Sequence, residues 1–205
     1  MMPQIGKRAR QKLERPGEIL EAARLEFVQK GYMAARIEDV AKAVGVTKGT
    51  VYFYFETKEA LFNAVIRHFA PVSFAMPEMP VQGRVREALS AYLTELYSHI
   101  TINQRTREIF HLLMAEGRHF PQLVDAYFTD FLEPALGSVR QLLRLGMERG
   151  EFRRTGIDAY AELLLSPAVL ASIWTSVFGQ RRPIEHERFP SSYFDVFFEG
   201  LEARA

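Results

Sequence analysis

The sequence predicts an all-α protein made of a small N-terminal domain of three helices and a larger helical bundle. Apolar residues recur every three or four positions along most of the 205 residues, which is the period of amphipathic helices. Glycines and prolines separate these runs, and no strand alternation or hairpin turn pattern interrupts them. Pro71, Pro77 and Pro80 form the strongest break, so we predict domains at residues 1–69 and 70–205.

The stretch from Arg36 to Phe62 predicts two short helices joined by a tight turn. Val40 and Val44 lie on one face of the first helix, and Gly45 suits the left-handed backbone that ends it. Thr47 is a good N-cap for the helix that follows. Because a helix-turn-helix presents its second helix to the DNA major groove, this stretch predicts a DNA-binding motif.

The second helix of this motif has an inner and an outer face. Val51 and Phe55 are four positions apart and are predicted to anchor the inner face. The residues predicted to point outward combine a cation, a hydroxyl and aromatic rings, which suits contact with phosphates and base edges. They are Lys48, Thr50, Tyr52 and Tyr54.

The pattern from Gly31 to Phe62 resembles the DNA-binding domain of the TetR family of bacterial transcription regulators. The matching residues are Gly31-Tyr32, Val40-Ala41, Gly45-Val46-Thr47, Gly49-Thr50-Val51-Tyr52, Tyr54-Phe55 and Lys58-Glu59. One departure is that Ala35 and Arg36 stand where the family has a Ser or Thr N-cap. The resemblance implies a sequence-specific DNA-binding regulator, a homodimeric repressor that reads a palindromic operator and is released by a small apolar ligand.

We predict that the DNA contacts come from the two helices of this motif and their flanks. The residues expected to reach the groove are Lys48, Gly49, Thr50 and Tyr52. The residues expected to contact phosphates are Arg36, Thr47, Tyr54 and Lys58. Glycine in the first set allows the backbone to approach DNA closely, and Arg36 offers a longer reach than the missing hydroxyl.

Two segments flank the motif. The arm from Lys7 to Arg15 is basic, and it predicts either phosphate and minor-groove contacts or a solvated, partly disordered tail. Pro16 is expected in the first turn of a helix that Gly31 ends. After the motif, a helix to about Phe69 joins the DNA-binding head to the body in the family that the sequence resembles.

Composition limits the classes of function. The chain has no cysteine, which excludes disulfides, thiolate metal sites and thiol nucleophiles. Its formal net charge is +1, but the first 60 residues carry eleven Lys and Arg against eight Asp and Glu, which gives a basic head. We find neither a signal peptide nor an apolar run of membrane-spanning length, and this predicts a cytoplasmic protein without membrane partners.

The second part of the chain predicts further helices, and prolines interrupt two of them. A long segment runs from Phe120 to Gly150, and Pro134 is expected to kink or divide it. The stretch from Ile157 to Phe178 is expected to form one apolar helix with Pro167 inside it.

This apolar helix and the last helix, at about residues 191–203, carry apolar side chains on more than one face. Each must therefore be buried on a second face. The resemblance implies that two copies of the chain pack these helices as a four-helix bundle. The alternative is that they form the centre of a monomer.

Large side chains of the bundle predict a small-molecule pocket between helices, although such residues also simply fill cores. The expected lining residues are Tyr97, Phe110, His111, Leu113, Met114, Tyr127, Phe131 and Trp174.

The sequence also contains two Glu-x-x-His pairs, at Glu108 and Glu116, and such pairs are the unit of di-iron bundles. Because both pairs lie in one stretch, we predict no metal site and no cofactor.

The sequence contains no Walker loop, nucleophile elbow, zinc-protease motif or dinucleotide-binding glycine pattern. We therefore predict no catalytic residues and no enzymatic activity. The alternative is a ligand-binding or enzymatic all-α bundle whose helix-turn-helix is vestigial.

Overall fold

The computed structural model describes residues 7–70 and 81–202, with side chains described from Glu14 onward. Within these residues every regular element is helical, and the one β contact is an isolated bridge between Phe152 and Glu202, which confirms the all-α class. The helices are α1 (Lys7–Ala34), α2 (Ile37–Val44), α3 (Lys48–Tyr54), α4 (Lys58–Phe69), α5 (Val85–Thr101), α6 (Gln104–Glu116), α7 (Pro121–Tyr127), α8 (Glu133–Glu148), α9 (Ser166–Phe178) and α10 (Phe189–Leu201). A π-helical turn at Phe128–Leu132 and a 3₁₀ segment at Ile157–Leu165 complete them.

The described chain packs as two compact units. The first unit contains α1 to α4 and residues 108–124, and the second contains residues 81–107 and 125–202. Residues 108–124 fall inside the predicted domain at 70–205, yet they pack in the first unit. Rings hold them there, since Phe120 lies 4.5 Å from Tyr32 and 5.2 Å from Phe62 between ring centroids.

The core of the first unit consists of the inward faces of α1 to α4. Its fully or almost fully buried side chains are Ile19, Ala23, Phe27, Val40, Val51, Leu61, Phe62 and Val65. Burying each of these side chains other than alanine contributes about 1.5–3 kcal/mol. Helices α2 and α3 have only 8 and 7 residues, so this packing stabilises them far more than helix propensity does.

Helix α1 differs from its prediction at one end and agrees at the other. It begins at Lys7, so the prediction that Pro16 lies in its first turn is wrong. The residues before Pro16 are strong helix formers, and they carry the helix through the missing N–H of the proline. Gly31, which was predicted to end the helix, breaks its helical backbone with φ 72° and ψ 169°, and a short continuation runs to Ala34. The side chains of residues 7–13 lie outside the described residues, so both alternatives for the basic arm stay predictions.

The core of the second unit lies between α5, α8, α10 and the 3₁₀ segment. Its most buried side chains include Leu89, Leu93, Leu136, Val139, Leu143, Leu164, Phe194 and Phe198. A smaller cluster joins Tyr97 of α5 to Ala168 and Ala171 of α9. Helix α9 therefore turns its small residues towards the core, and its larger apolar residues lie on its other faces.

Two prolines of the second part mark the starts of helices. Pro134 lies in the first turn of α8, directly after the π-helical turn, so the predicted kink takes the form of a wider helical turn. Proline cannot donate the hydrogen bond to the carbonyl four residues earlier, and a π-turn accommodates that loss. Pro167 lies in the first turn of α9, so the prediction of one helix with Pro167 inside it is wrong.

The stretch from Ile157 to Phe178 is long and apolar enough to cross a membrane by length and composition alone. The expectation that no apolar run reaches this length is therefore wrong. In the structure the stretch is divided, because Tyr160 has non-helical angles of φ −129° and ψ 47°. A span needs about 20 helical residues, whereas the α-helical part, α9, has 13.

Candidate nucleic-acid interface and ligand cavities

The turn between α2 and α3 forms as the sequence predicts. Gly45 has φ 70° and ψ 37°, a left-handed conformation, and its N–H donates to the carbonyls of Ala41 and Lys42. Thr47 is the N-cap of α3, and its Oγ1 accepts the N–H of Thr50 at 3.1 Å. Local hydrogen bonds thus set where α2 ends and α3 begins.

Helix α3 buries Val51 and leaves most of its other residues open. Val51 is fully buried, whereas Tyr52 is 36% exposed and Phe53 is 75% exposed. Phe53 is an outward aromatic residue outside the predicted set. The predicted residues are two positions apart along the chain, whereas residues on one face of a helix recur every three or four positions. Phe55 was predicted to lie on α3, and this prediction is wrong. It is the half-buried C-cap, since the helix ends at Tyr54.

Lys48 provides a cation on the exposed side of α3. Its Nζ lies 2.5 Å from a carboxylate oxygen of Glu38 and 5.6 Å from the centre of the Tyr52 ring. The hydrogen bond between Lys48 and Glu38 raises the pKa of the lysine and lowers the pKa of the glutamate. Both side chains are at least half exposed, so water screens the pair and the attraction between the two charges is weak.

Four other predicted DNA-contact residues differ in their present surroundings. The hydroxyls of Thr47 and Thr50 hydrogen-bond each other at 2.9 Å. A Cβ added to Gly49 would meet only Thr47 Oγ1, at an ordinary contact distance of 3.7 Å, so the fold itself does not require glycine there. Lys58 Nζ donates to the carbonyl oxygen of Met33 at 3.1 Å, and the lysine is therefore held against the end of α1.

Tyr54 and Arg36 lie at the two ends of the motif. Tyr54 is half-buried, and its ring meets the Phe53 ring edge-on with centroids 5.2 Å apart. Arg36 is exposed and occupies the N-cap position of α2 without a side-chain hydrogen bond to the helix. Its backbone N–H donates to Glu26 Oε1 at 3.1 Å. The missing Ser or Thr cap is thus a real departure, and a partner from α1 fixes the backbone there instead.

The eight predicted ligand residues are divided between the two units. Those in the first unit are Phe110, His111, Leu113 and Met114. Those in the second unit are Tyr97, Tyr127, Phe131 and Trp174. Of this second set, Tyr127 and Phe131 share one cavity, Trp174 lines another, and Tyr97 is buried in the core.

The cavity at Tyr127 and Phe131 is too small for an organic ligand in this structure. Its volume is about 30 Å³, room for little more than one water molecule. The rest of its wall is apolar and consists of Leu96, Ile100, Leu132, Ala135 and Leu165. Burial raises the pKa of Tyr127 to about 12, so its phenol stays neutral and keeps its proton at physiological pH.

Tyr97 reaches a histidine that the sequence analysis did not single out. Its hydroxyl lies 3.0 Å from Nδ1 of His186, and Nε2 of the same ring lies 3.4 Å from the hydroxyl of Thr175. Burial lowers the pKa of His186, and the positive charge of Arg107 lowers it further. In the sequence His186 is one polar residue of a polar loop, and no spacing signal connects it to Tyr97.

A wider groove lies between α9, α10 and the loop that joins them, with a volume of about 470 Å³. Its lining residues are Leu170, Trp174, Arg182, Pro183, Ile184, Glu185, Arg188, Phe189 and Ser192. Trp174 is the one predicted ligand residue among them. Its indole Nε1–H donates to the carbonyl oxygen of Arg182 at 2.8 Å.

The glutamates of both Glu-x-x-His pairs make contacts within the first unit. Glu108 accepts a hydrogen bond from the Arg24 guanidinium. Glu116 accepts the N–H of Tyr32 at 2.9 Å, and a ring nitrogen of His119 lies 3.7 Å from it. Among the residues that the structure describes, no group of three His, Asp or Glu side chains is placed to hold a metal ion.

Two family models cover most of this architecture. The model described as "Bacterial regulatory proteins, tetR family" matches residues 19–65, which include α2, α3 and their turn. The model described as "Tetracyclin repressor-like, C-terminal domain" matches residues 79–188, more than half of the chain.

Individual proteins agree with these models. The HTH-type transcriptional repressor KstR2 of Rhodococcus jostii strain RHA1 is 26% identical over 192 residues, covering 90% of this chain and 89% of its own. A transcriptional regulator from Saccharomonospora viridis, solved in complex with choline, has a TM-score of 0.74 at 21% identity, covering 94% and 100%. The ketosteroid transcriptional regulator KstR2 of Mycobacterium tuberculosis has a TM-score of 0.67 at 19% identity, covering 93% and 96%. The chain therefore belongs to the TetR family, and it is a helix-turn-helix DNA-binding transcriptional regulator.

Proposed function

We propose that this regulator is a non-enzymatic homodimeric repressor in the cytoplasm that binds a palindromic operator and is released by a small molecule. The observation that carries the proposal is the surface of α3, where Val51 is buried and Lys48, Gly49 and Tyr52 are exposed. The Gly45 turn and the Thr47 cap keep all of their expected hydrogen bonds. This argues against the alternative of an enzymatic or ligand-binding bundle with a vestigial motif.

The predicted contacts divide into groove and backbone roles. We assign the groove to Lys48, Gly49, Thr50 and Tyr52. We assign phosphates to Arg36, Thr47, Tyr54 and Lys58. On binding, an acceptor on a base edge displaces Glu38 from Lys48, and Lys58 exchanges the carbonyl of Met33 for a phosphate oxygen. Both exchanges replace a contact within the protein by a charge-assisted hydrogen bond to DNA.

Fluorescence anisotropy on DNA from upstream of the protein's own gene tests the DNA surface, with shuffled DNA as the control sequence. We expect tight binding to the native sequence and a steep loss of affinity as salt is raised. The variant Lys48→Ala should weaken operator binding by about 1–3 kcal/mol if the lysine reads a base, or reduce the salt slope by about one if it contacts a phosphate.

The matched control is Lys42→Ala, because Lys42 is an exposed lysine on α2 outside the predicted set. It should bind nearly as well as the unchanged protein. The variant Glu38→Gln should bind more tightly, since it removes the carboxylate that competes for Lys48. Equal affinities for the Lys48 and Lys42 variants would contradict the proposed surface. If binding to both DNAs is equally weak, the operator is sought by selection from random DNA. If the selection yields no preferred sequence, the proposal of a sequence-specific regulator is contradicted.

A small-molecule effector is supported by the relatives. The Saccharomonospora viridis regulator was solved with choline, and the Mycobacterium tuberculosis relative is named a ketosteroid regulator. In the present chain the Tyr127 cavity is nearly closed, and the π-helical turn Phe128–Leu132 lies beside it. A π-turn can return to regular helix by a one-residue shift, so it offers a place where this cavity can widen. Release of DNA then follows if the ligand binds the widened form better and DNA binds that form less well.

A dimer is supported by apolar residues of the second unit that the described chain leaves uncovered. Val169, Ile173 and Val177 are spaced four apart on α9 and form one exposed stripe. Leu163 and Val196 are also exposed, on the 3₁₀ segment and on α10. A second copy of the chain would bury these residues around a two-fold axis, and its α3 would then meet the second half of a palindrome.

A further inference from the structure

We propose that the groove beside Trp174 binds small molecules that combine an apolar body with a single anionic group, such as a medium-chain carboxylate. The groove belongs to the second unit and shares no lining residue with the Tyr127 cavity. It is therefore a separate site, and its existence does not depend on how the protein binds DNA.

The walls of the groove suit an apolar body. Leu170 and Trp174 lie four positions apart on α9, and Ile184 and Phe189 come from the loop and from α10. The indole N–H of Trp174 already donates to the carbonyl of Arg182. Because that nitrogen is the one polar atom of the side chain, the indole offers the groove an apolar surface.

Two arginines line the groove, and the backbone of each is fixed. Arg182 is tied to α9 on both sides, since its N–H donates to the carbonyl of Phe178 at 2.8 Å and its carbonyl accepts from Trp174. The N–H of Arg188 donates to the carbonyl of Glu185 at 3.0 Å in the turn that leads into α10. The backbone of both arginines is thus set before any ligand arrives, so binding has to order only their side chains.

The charge of the lining residues selects an anion. Among the lining residues, Arg182 and Arg188 outnumber the one acidic residue, Glu185, which leaves a formal charge of +1. Glu185 and Arg188 lie 3.6 Å apart and are 72% and 84% exposed, so their attraction is weak. A ligand carboxylate can therefore take over Arg188 and offer it the two-oxygen geometry that guanidinium prefers.

The size of the groove also fits a small molecule. Its volume of about 470 Å³ lies within the range of ligand sites, which is roughly 300–1,000 Å³.

A second copy of this chain is the competing occupant of the groove. The exposed stripe Val169, Ile173 and Val177 is offset by one residue from Leu170 and Trp174, so a partner on that stripe uses a different face of α9.

Trp174 is the single tryptophan of the sequence, so its emission reports directly on the groove. The experiment titrates the full chain with octanoate and, as the neutral probe of equal length, with 1-octanol. We expect a saturable change in tryptophan emission with octanoate, and a clearly weaker response to octanol. An octanol response as strong as that to octanoate, or no saturable change with octanoate, would overturn the proposal.

Variants of the charged residues test the same site. Arg188→Ala should raise the octanoate Kd about two- to five-fold, the size expected for an exposed ion pair. Glu185→Gln should lower this Kd by a similar factor, because it removes the competing carboxylate. The matched control is Arg181→Ala, an exposed arginine of the same loop that does not line the groove, and its Kd should be unchanged.

Circular dichroism and operator binding of the same samples show whether each variant folds. If folded variants of Arg188 and Glu185 bind octanoate like the unchanged protein, the groove is not the site. If Trp174 emission responds to dilution of the protein but not to octanoate, a second copy covers the groove and the proposal fails. Neither result would affect the proposed DNA surface, which anisotropy tests separately.

Discussion

Val51 is the buried residue of α3, and it packs that helix against the core of the first unit. The variant Val51→Asp places a carboxylate in an apolar core without a partner. We expect it to lower the free energy of unfolding of the first unit by about 3 kcal/mol or more. Urea unfolding followed by circular dichroism measures this loss.

Phe53 provides the matched control two residues away, because it is 75% exposed. Phe53→Asp should change the free energy of unfolding by less than about 0.5 kcal/mol, as surface substitutions usually do. Similar destabilisation by both substitutions would mean that α3 does not pack through Val51.

His186 should make stability depend on pH. Burial, followed by the charge of Arg107, lowers the pKa of His186 below the usual 6.5. Once the pH falls below about 6.5, the unfolded chain binds a proton that the folded chain resists. Stability is therefore expected to fall as pH drops from about 6.5 towards the lowered folded pKa, and to lose nothing further from this group below it.

The test is the melting temperature between pH 8 and pH 5. His186→Gln should flatten the decline, because glutamine keeps polar contacts and does not titrate. His119→Gln is the control, since the His119 side chain is 70% exposed. If the two variants and the unchanged protein lose the same stability, another group causes the pH dependence.

Helices α1 and α6 are joined by the ion pair of Arg24 and Glu108. Arg24 is only 5% exposed, and it also hydrogen-bonds Glu21. Breaking a buried pair costs about 3–5 kcal/mol, because one charge stays buried without its partner. We expect a loss near the lower end of that range for Arg24→Met, since the remaining carboxylates are partly exposed.

Thermal or urea unfolding of Arg24→Met, Glu108→Leu, their double variant and a control tests this link. The double variant Arg24→Met/Glu108→Leu should be less destabilised than the sum of its single changes, because it leaves neither member of the pair alone. Arg15→Met removes a more exposed pair with Glu18 and should cost less than about 1 kcal/mol. Strict additivity in the double variant would show that the two residues do not interact.

Proline positions show the limit of sequence analysis at the scale of an element. Pro16 lies inside a helix, whereas Pro134 and Pro167 lie in the first turns of theirs. A proline removes one hydrogen bond and restricts the residue before it, and all three outcomes satisfy that rule. The conformation of the preceding residues decides among them: a helix continues through Pro16, whereas a π-helical turn precedes Pro134 and a 3₁₀ segment precedes Pro167. The spacing of apolar residues does not show which conformation the chain adopts.

Association of two copies is the prediction that belongs to the whole molecule. Ile173 lies in the middle of the exposed stripe on α9, between Val169 and Val177. Ile173→Glu should produce a folded monomer, because a charge at the centre of an apolar interface cannot be paired there. Sedimentation velocity measures the size, and operator affinity should fall about 100-fold or more once two heads no longer bind together.

Gln141→Glu is the control for the added charge, since Gln141 is exposed on a different helix, α8. It should keep the size and the operator affinity of the unchanged protein. A dimeric Ile173→Glu protein, in the presence of a normal control, would place the interface elsewhere.

The sequence by itself determined what consecutive residues can fix. Gly45 and Thr47 act through their own backbone and side-chain hydrogen bonds, so the turn and the start of α3 could be predicted. The family could be predicted for the same reason, because its signature lies in one continuous stretch from Gly31 to Phe62.

The tertiary structure decided which distant residues meet. Three contacts have no signature in the order of the residues. They are the packing of Phe120 against Tyr32, the contact of His186 with Tyr97, and the arginines beside Trp174. Helical spacing shows that a side chain lies on a given face, but the same apolar stripe fits a core, a groove or a partner. That choice depends on burial against other elements, which only the folded chain defines.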